Sequence, residues 1–313
     1  MTMPDDVKLK DADAGADATG VQARRIAVVV NPSSGTMKAD PDRLDAIRRA
    51  FGDRGRIVEI GKDGPVEAAR RAVADGATCL VAVGGDGTIA AVAGVVVEHG
   101  LEMGVIAGGT FNYFARGYGI PEDPEDAVRL ILDGTARAVD VGRAGDRIFL
   151  NNLSLGIYPV ILKEREEVYG RFGRSRVAAY WSVVKVFARF QRPKRLTLEM
   201  EGETERLKTP LLFVARSAFQ LEQFELEGAD CVAAGNLAIF AAPSGGRWQM
   251  FRSAWRLVRK VMTPGLDFRL FCTDDVVIGG PNSALVAVDG EKYRSPLPLN
   301  VRVERGALRL IAP

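Results

Sequence analysis

Histidine is almost missing from this 313-residue chain; His99 is the only one. Serine–histidine–aspartate and cysteine–histidine catalysis are excluded unless His99 is itself the base, and histidine-rich zinc sites go with them. A metal would be a hard cation held by oxygen, magnesium first. His99 precedes Gly100 at the end of a helical stretch, where an imidazole ordinarily serves the last carbonyls. Cysteine is scarce as well. Cys79, Cys231 and Cys272 are far apart and odd in number, which argues against a disulfide framework and fits a reducing compartment. No charge of either sign dominates: 42 Lys and Arg face 40 Asp and Glu, so wholesale binding to nucleic acid is not implied. No run reaches the ~18 apolar residues of a membrane-spanning helix. Residues 1–21 are polar and acidic, with no apolar run like that of a secretory signal, and read as a disordered tail. Neither GxxxxGK[ST] nor GxGxxG occurs, so neither a P-loop enzyme nor a dinucleotide fold is supported.

Apolar residues make up 47 % of the chain, enough to bury a sizeable core, and the length fits two domains. Residues 22–138 alternate strand and helix. Strands read at 25–30, 57–60, 79–83 and 103–107; helices read at 42–51, 65–74, from the GGDGT loop to about 98, after residue 110 and at 123–132. This is the pattern of a Rossmann-like α/β domain with a parallel sheet. From 139 to 298 the pattern changes to strands separated by turns, at 139–141, 148–152, 196–200, 211–215, 237–241, 268–271, 276–278 and 285–288. A β-rich, antiparallel, sandwich-like domain follows from it. Two helical stretches interrupt it, at 177–190 and 247–261. Two further strands read at 299–303 and 307–311, joined by Glu304-Arg305-Gly306.

Three glycine-rich loops end strands of the first domain: Asn31-Pro32-Ser33-Ser34-Gly35, Gly84-Gly85-Asp86-Gly87-Thr88 and Gly108-Gly109-Thr110-Phe111-Asn112. In a parallel sheet ligands bind outside the carboxyl ends of strands. Glycine lets backbone amides approach a phosphate, and the following helix adds its positive end. Asp86 among those amides would repel a bare phosphate. It points to a bridging magnesium ion, or to a base for the attacking hydroxyl. Arg116 reads either as a phosphate ligand or as a solvated charge. Asp289-Gly290 is a strong hairpin signal, with Glu291 a second carboxylate beside it. The stretch RWQMFRSAWRLVRKV at 247–261 puts aromatic residues at helical spacing beside basic ones, the pattern of a helix lying on an anionic membrane; packing of the aromatic face on the second domain is the plainer alternative. Residues 171–195 are a weaker candidate.

NPSSG, GGDGT, GGTFNYFARGYGIP and VDGE, in that order, resemble the diacylglycerol kinase catalytic family, which includes sphingosine and ceramide kinases. The resemblance runs from Arg25 to Pro313. It implies an ATP-dependent lipid kinase, with ATP and Mg2+ at the glycine loops of 22–138, a lipid acceptor on 139–298, and 299–313 returning to complete the first domain. By motif position Asn31, Ser34, Gly85, Gly87, Thr88 and Thr110 would contact ATP, with Asn112 on the same loop. Asp86 would organise magnesium and phosphate. Asp289, the Asp of the late DG motif, would be the base, with Glu291 able to substitute. Cytoplasmic location and transient association with an anionic membrane surface follow as expectations. Two positions depart from the family: Tyr113 stands where GTxND has Asp, and Ala233-Ala234-Gly235 stands where Asp-Asp-Gly is usual. They motivate an alternative, a non-catalytic nucleotide- or lipid-binding protein of the same fold. A soluble-substrate kinase resembling the NAD kinases is a third reading.

Overall fold

The computed structural model describes residues 24–156 (save 36, 38, 39 and 41), 193–244, 256 and 267–313. The tail at 1–21 and the stretches read as helices at 177–190 and 247–261 lie outside the described residues, Arg256 apart.

The first half is laid down as β1 (Ile26–Val30), α1 (Asp42–Phe51), β2 (Gly55–Glu59), α2 (Gly64–Ala74), β3 (Cys79–Gly84), α3 (Asp86–His99), β4 (Glu102–Ala107), α4 (Tyr113–Gly117) and α5 (Pro124–Asp133). β1 pairs in parallel with β2 and β3, and β3 with β4. β1 and β3 are apolar and buried throughout because both faces are covered, while β2 at the edge carries Arg56 and Glu59. Ala27, Val29, Leu80 and Ala82 face Ala68, Ala69 and Ala72 of α2 and Ile89, Val92 and Val96 of α3. The alternate residues Val28, Val30, Val81 and Val83 face Ile47 and Phe51 of α1 and Ala127, Val128 and Ile131 of α5. The period of two thus puts each strand's side chains into two cores. Asp123 starts α5 by accepting from the amides of Glu125 and Asp126, with Pro124 in the first turn.

The second half contributes β5 (Ala136–Ala144), β6 (Arg147–Phe149), β7 (Asn152–Gly156), β8 (Lys194–Met200), β9 (Glu203–Thr209), β10 (Leu211–Ala215), α6 (Ala218–Gln223), α7 (Ala229–Ala233), β11 (Leu237–Ala241), β12 (Arg269–Thr273), β13 (Asp275–Gly279), β14 (Ser283–Val288), β15 (Glu291–Pro296) and β16 (Leu299–Ile311). One sheet has the order β12-β11-β10-β7-β14-β15 and is antiparallel throughout. The other runs β2-β1-β3-β4-β16-β13-β8-β9, with β5 and β6 attached beside β16. Leu153, Leu155, Leu212, Ile239 and Val286 of the first sheet meet Leu198, Val276, Ile278 and Val301 of the second in one core, the sandwich expected of two faced sheets.

Several sequence readings need correction. The strands read at 299–303 and 307–311 are one strand, β16, whose register against β5 shifts between Glu304 and Leu308. The Glu304-Arg305-Gly306 turn signal is absorbed as a bulge, with Gly306 at φ 61°. β9 went unread because its sequence, ETERLKT, alternates charge with few apolar residues; among the described strands it pairs with β8 alone, at the end of the sheet order. The cysteines are not all free. Cys231 of α7 and Cys272 of β12 form a disulfide, because β11 lies between them and brings positions 41 residues apart to a Cα separation of 5.9 Å. Cys79 alone is a free thiol, and burial pushes it up to about 12. No helix among the described residues is long and apolar enough to cross a membrane.

Candidate active site

The three glycine loops meet where β1, β3 and β4 end. Asn31 caps its own turn: its Oδ1 accepts from the Ser33 amide at 3.0 Å, and its Nδ2 donates to Thr88 Oγ1 at 3.0 Å. The second and third loops touch directly. A Cβ on Gly109 would fall 2.6 Å from Gly85 Cα and 2.9 Å from Asn112 Oδ1, so glycine is required for that approach. Asn112, left-handed at φ 53°, accepts from the Gly109 amide at 2.8 Å and opens α4. Gly85, Asp86 and Gly87 stand at the first turn of the 14-residue α3, half-buried, and Thr110 is exposed on its loop. Ser34 is buried and its Oγ has no partner among the described residues. An unpaired buried hydroxyl beside glycine amides and a helix start suits a phosphate oxygen.

The two carboxylates named from sequence come together across the two halves. Asp86 Oδ1 accepts from the Phe114 amide at 3.1 Å and from Asn151 Nδ2 at 3.4 Å. Asp289 Oδ1 accepts from the amides of Asn151 at 2.8 Å and Asn152 at 3.0 Å, and its Oδ2 accepts from Leu150 at 2.7 Å. Asn151, 2 % exposed, therefore touches both. Asp289 does make the hairpin turn as well: it and Gly290 have φ 45° and 91° and connect β14 to β15. That turn aims its carboxylate inward at the start of β7. Burial raises the Asp289 carboxyl from 3.8 to about 6; the three amides hold it down, and the Asp86 charge pushes it further up. Three of roughly four acceptor positions of a carboxylate are thus filled, leaving one on Oδ2.

Other candidates fall differently. Glu291 is exposed at the first position of β15, on the outer side of the turn that turns Asp289 inward. Arg116 is exposed and ion-paired with Glu122, Nε to Oε1 at 2.6 Å, a solvated charge already holding a carboxylate. Tyr113 stacks on Phe111. Ala233-Ala234-Gly235 carries no carboxylate, and Arg305 lies against Gly235. Among the described residues no three His, Cys, Asp or Glu side chains gather as a metal cage. Asn151 and Asn152 were missed from sequence. Their signal was a pair of amides in the otherwise apolar run FLNNLSLG; Asn152 is buried and donates to Gln220 at 3.0 Å.

Residues 25–144 match the diacylglycerol kinase catalytic domain, and the resemblance carried by the glycine loops is borne out. A "Probable lipid kinase YegS-like" of Chromohalobacter salexigens is 39 % identical over 105 residues, 32 % of this chain and 33 % of that protein. A diacylglycerol kinase of Staphylococcus aureus strain JH9 is 33 % identical over 134 residues, 41 % of this chain and 42 % of that protein. The matches therefore span about a third to two fifths of the length of those curated relatives. Two crystal structures of Bacillus anthracis str. Sterne proteins each cover 93 % of this chain. One has a TM-score of 0.69 at 19 % identity over 98 % of its own chain. The other, of a diacylglycerol kinase, has a TM-score of 0.63 at 18 % identity over 97 %. At such identities they establish the fold: an α/β parallel sheet with an antiparallel β-rich half.

Proposed function

We propose that this chain, which carries a diacylglycerol kinase catalytic domain over residues 25–144, transfers the γ-phosphoryl group of ATP to the hydroxyl of a lipid. The observation that carries this reading is the meeting of Asp86 and Asp289 through Asn151 beside the glycine loops. Phosphoryl transfer needs little covalent chemistry from the protein; it needs the phosphates held, the hydroxyl aligned and its proton accepted. The loop amides and the unpaired Ser34 hydroxyl hold the phosphates. Asp289 accepts the proton on Oδ2 as the hydroxyl oxygen bonds to the γ-phosphorus and the bond to the β-phosphate oxygen breaks. The products are ADP, a lipid phosphomonoester and a proton on Asp289. A carboxyl near pH 6 is ionised at neutral pH yet basic enough to assist. Asp86 fits a magnesium ion arriving with the nucleotide, since that ion favours one or two carboxylates plus substrate phosphates over an all-protein cage; it would supply neutralisation of phosphate charge. Tyr113 brings no carboxylate, so Asp86 would act without a second acid from the third loop.

The test is labelled-ATP transfer in detergent micelles to diacylglycerol, monoacylglycerol, sphingoid and prenol acceptors, with NAD as a soluble comparison. Label in at least one lipid is expected. ATP binding without transfer to any acceptor would leave the chain a non-catalytic nucleotide-binding protein. Transfer to NAD instead would make it a soluble-substrate kinase.

A further inference from the structure

Asn151 stands at the joint of the two halves, on the bend between β6 and β7. Its main chain does the joining. The amide donates to Asp289 Oδ1 at 2.8 Å, and the carbonyl accepts from the Arg216 amide at 2.8 Å. Any residue other than proline supplies those two groups. The side chain is a separate matter. It is buried, where an apolar residue would be the stable choice. Among the described residues its Nδ2 has one partner, Asp86 Oδ1 at 3.4 Å, and its Oδ1 has none. A buried carboxamide with an unpaired oxygen and one long bond works against the fold. Asn152 differs: its Nδ2 is satisfied at 3.0 Å by Gln220 of α6, within the second half. Local choices that oppose stability gather at functional sites.

Asp86 shows what the side chain of Asn151 is kept for. The Asp86 carboxylate belongs to α3 of the nucleotide half, and Asp289 to the turn between β14 and β15. Three amides fix Asp289. Asp86 Oδ1 accepts from the Phe114 amide, which lies in the same half as Asp86, and from Asn151 Nδ2. Asn151 is therefore the contact, among the described residues, that refers the Asp86 carboxylate to the half carrying Asp289. A length of 3.4 Å suits this role, since hydrogen bonds of a catalytic site are commonly long without substrate and tighten in its complex.

Resting on the kinase reading above, we propose that Asn151 is a positioning residue for phosphoryl transfer, whose carboxamide holds the Asp86 carboxylate in place relative to Asp289 across the joint. It acts through Asp86. The phosphates are left to the loop amides and Ser34, so the role belongs to the transfer step and not to nucleotide binding.

Two variants separate the missing donor from a damaged fold. Asn151→Leu fills the space without the donor, and Asn151→Ala empties it. With ATP and the lipid that the wild type labels best, kcat should fall about a hundredfold in both, while KM for ATP stays within about twofold. The leucine variant should melt no lower than the wild type, because it also removes an unpaired buried oxygen; the alanine variant should melt lower. Asp86→Asn/Asn151→Leu should lose no more activity than Asp86→Asn alone. Near-normal kcat in either variant, losses of activity that track melting temperature, or additive losses in the double variant each overturn the positioning role. A loss carried wholly by KM for ATP makes Asn151 a nucleotide ligand and overturns it too. A wild type that labels no lipid overturns the kinase reading and this role with it, whereas an active wild type matched by its variants overturns the role alone.

Discussion

Replacing Asp289 by Asn keeps the shape of the side chain and removes its charge. An amide oxygen in place of Oδ1 keeps the bonds from Asn151 and Asn152, but the amide nitrogen then meets the Leu150 amide donor to donor, where Oδ2 accepts at 2.7 Å. That costs about 1–3 kcal/mol. The wild-type carboxyl carries an opposite burden. Burial first, then the Asp86 charge, raise it from 3.8 to about 6 in the fold, so ionising it in the folded protein costs about 3 kcal/mol relative to the unfolded chain. A carboxyl raised in this way contributes stability that is fully present below pH 3.8 and lost as pH rises through about 6. Asp289→Asn should therefore nearly match the wild type at pH 7.5 and fall behind it at pH 4.5, by several degrees in melting temperature. Activity should behave differently. Wild-type kcat/KM should fall about tenfold per pH unit below about pH 6, as the base protonates. The variant should lose roughly two to four orders of magnitude at pH 7.5, with its residual rate flat in pH, and ATP should still protect it against heating. A folded Asp289→Asn protein that retains activity within tenfold, or keeps the same acid limb, would refute the base assignment and leave Asp289 a turn and a clamp.

Asp86→Asn can still accept from the Phe114 amide, so the fold should persist while transfer drops about a hundredfold or more; near-normal turnover in a folded variant excludes Asp86 from the chemistry. Gly109→Ala would push a methyl into Gly85 Cα at 2.6 Å, separating the second and third loops; ATP affinity should fall at least tenfold by calorimetric titration, and an unchanged affinity would show that the loops do not act as one phosphate cradle. Deleting residues 300–313 removes most of β16, which pairs with β4, β5 and β13; the truncated chain should show no cooperative melt and no ATP protection, whereas protection equal to the intact protein would show that the nucleotide half stands without that strand.

What the sequence discloses follows from how local each signal is. β1, β3 and, beyond Glu102, β4 are legible because buried parallel strands are apolar at successive positions, and the loops after them because glycine at a close backbone approach has no substitute. Asp86 and Asp289 were both named, yet nothing in their spacing says that they meet, since Asp289 is held by the backbone amides of Leu150–Asn152, which any sequence supplies, and from there Asp86 is reached only by the side chain of Asn151. Asn151 escaped notice for the same reason: an amide matters here by where β7 starts, not by a motif. β9 was invisible because an edge strand guards itself with charge and so lacks an apolar face. The disulfide was misjudged because odd count and wide spacing describe the chain, while pairing depends on β11 lying between α7 and β12.

The position of β16 has a kinetic consequence. It is the last strand in the chain order and sits in the middle of its sheet, with Arg309 bonded to Glu102 across 207 residues. The parallel strands that cradle the loops can pair among themselves early, but their row ends at β4 with an open apolar edge until β16 arrives. Closing a loop of that length is entropically slow rather than thermodynamically forbidding, because the cost grows only with the logarithm of length. During that interval the half-built sheet offers unpaired backbone to any neighbouring chain. Refolding should therefore be slow and its yield should fall steeply with protein concentration.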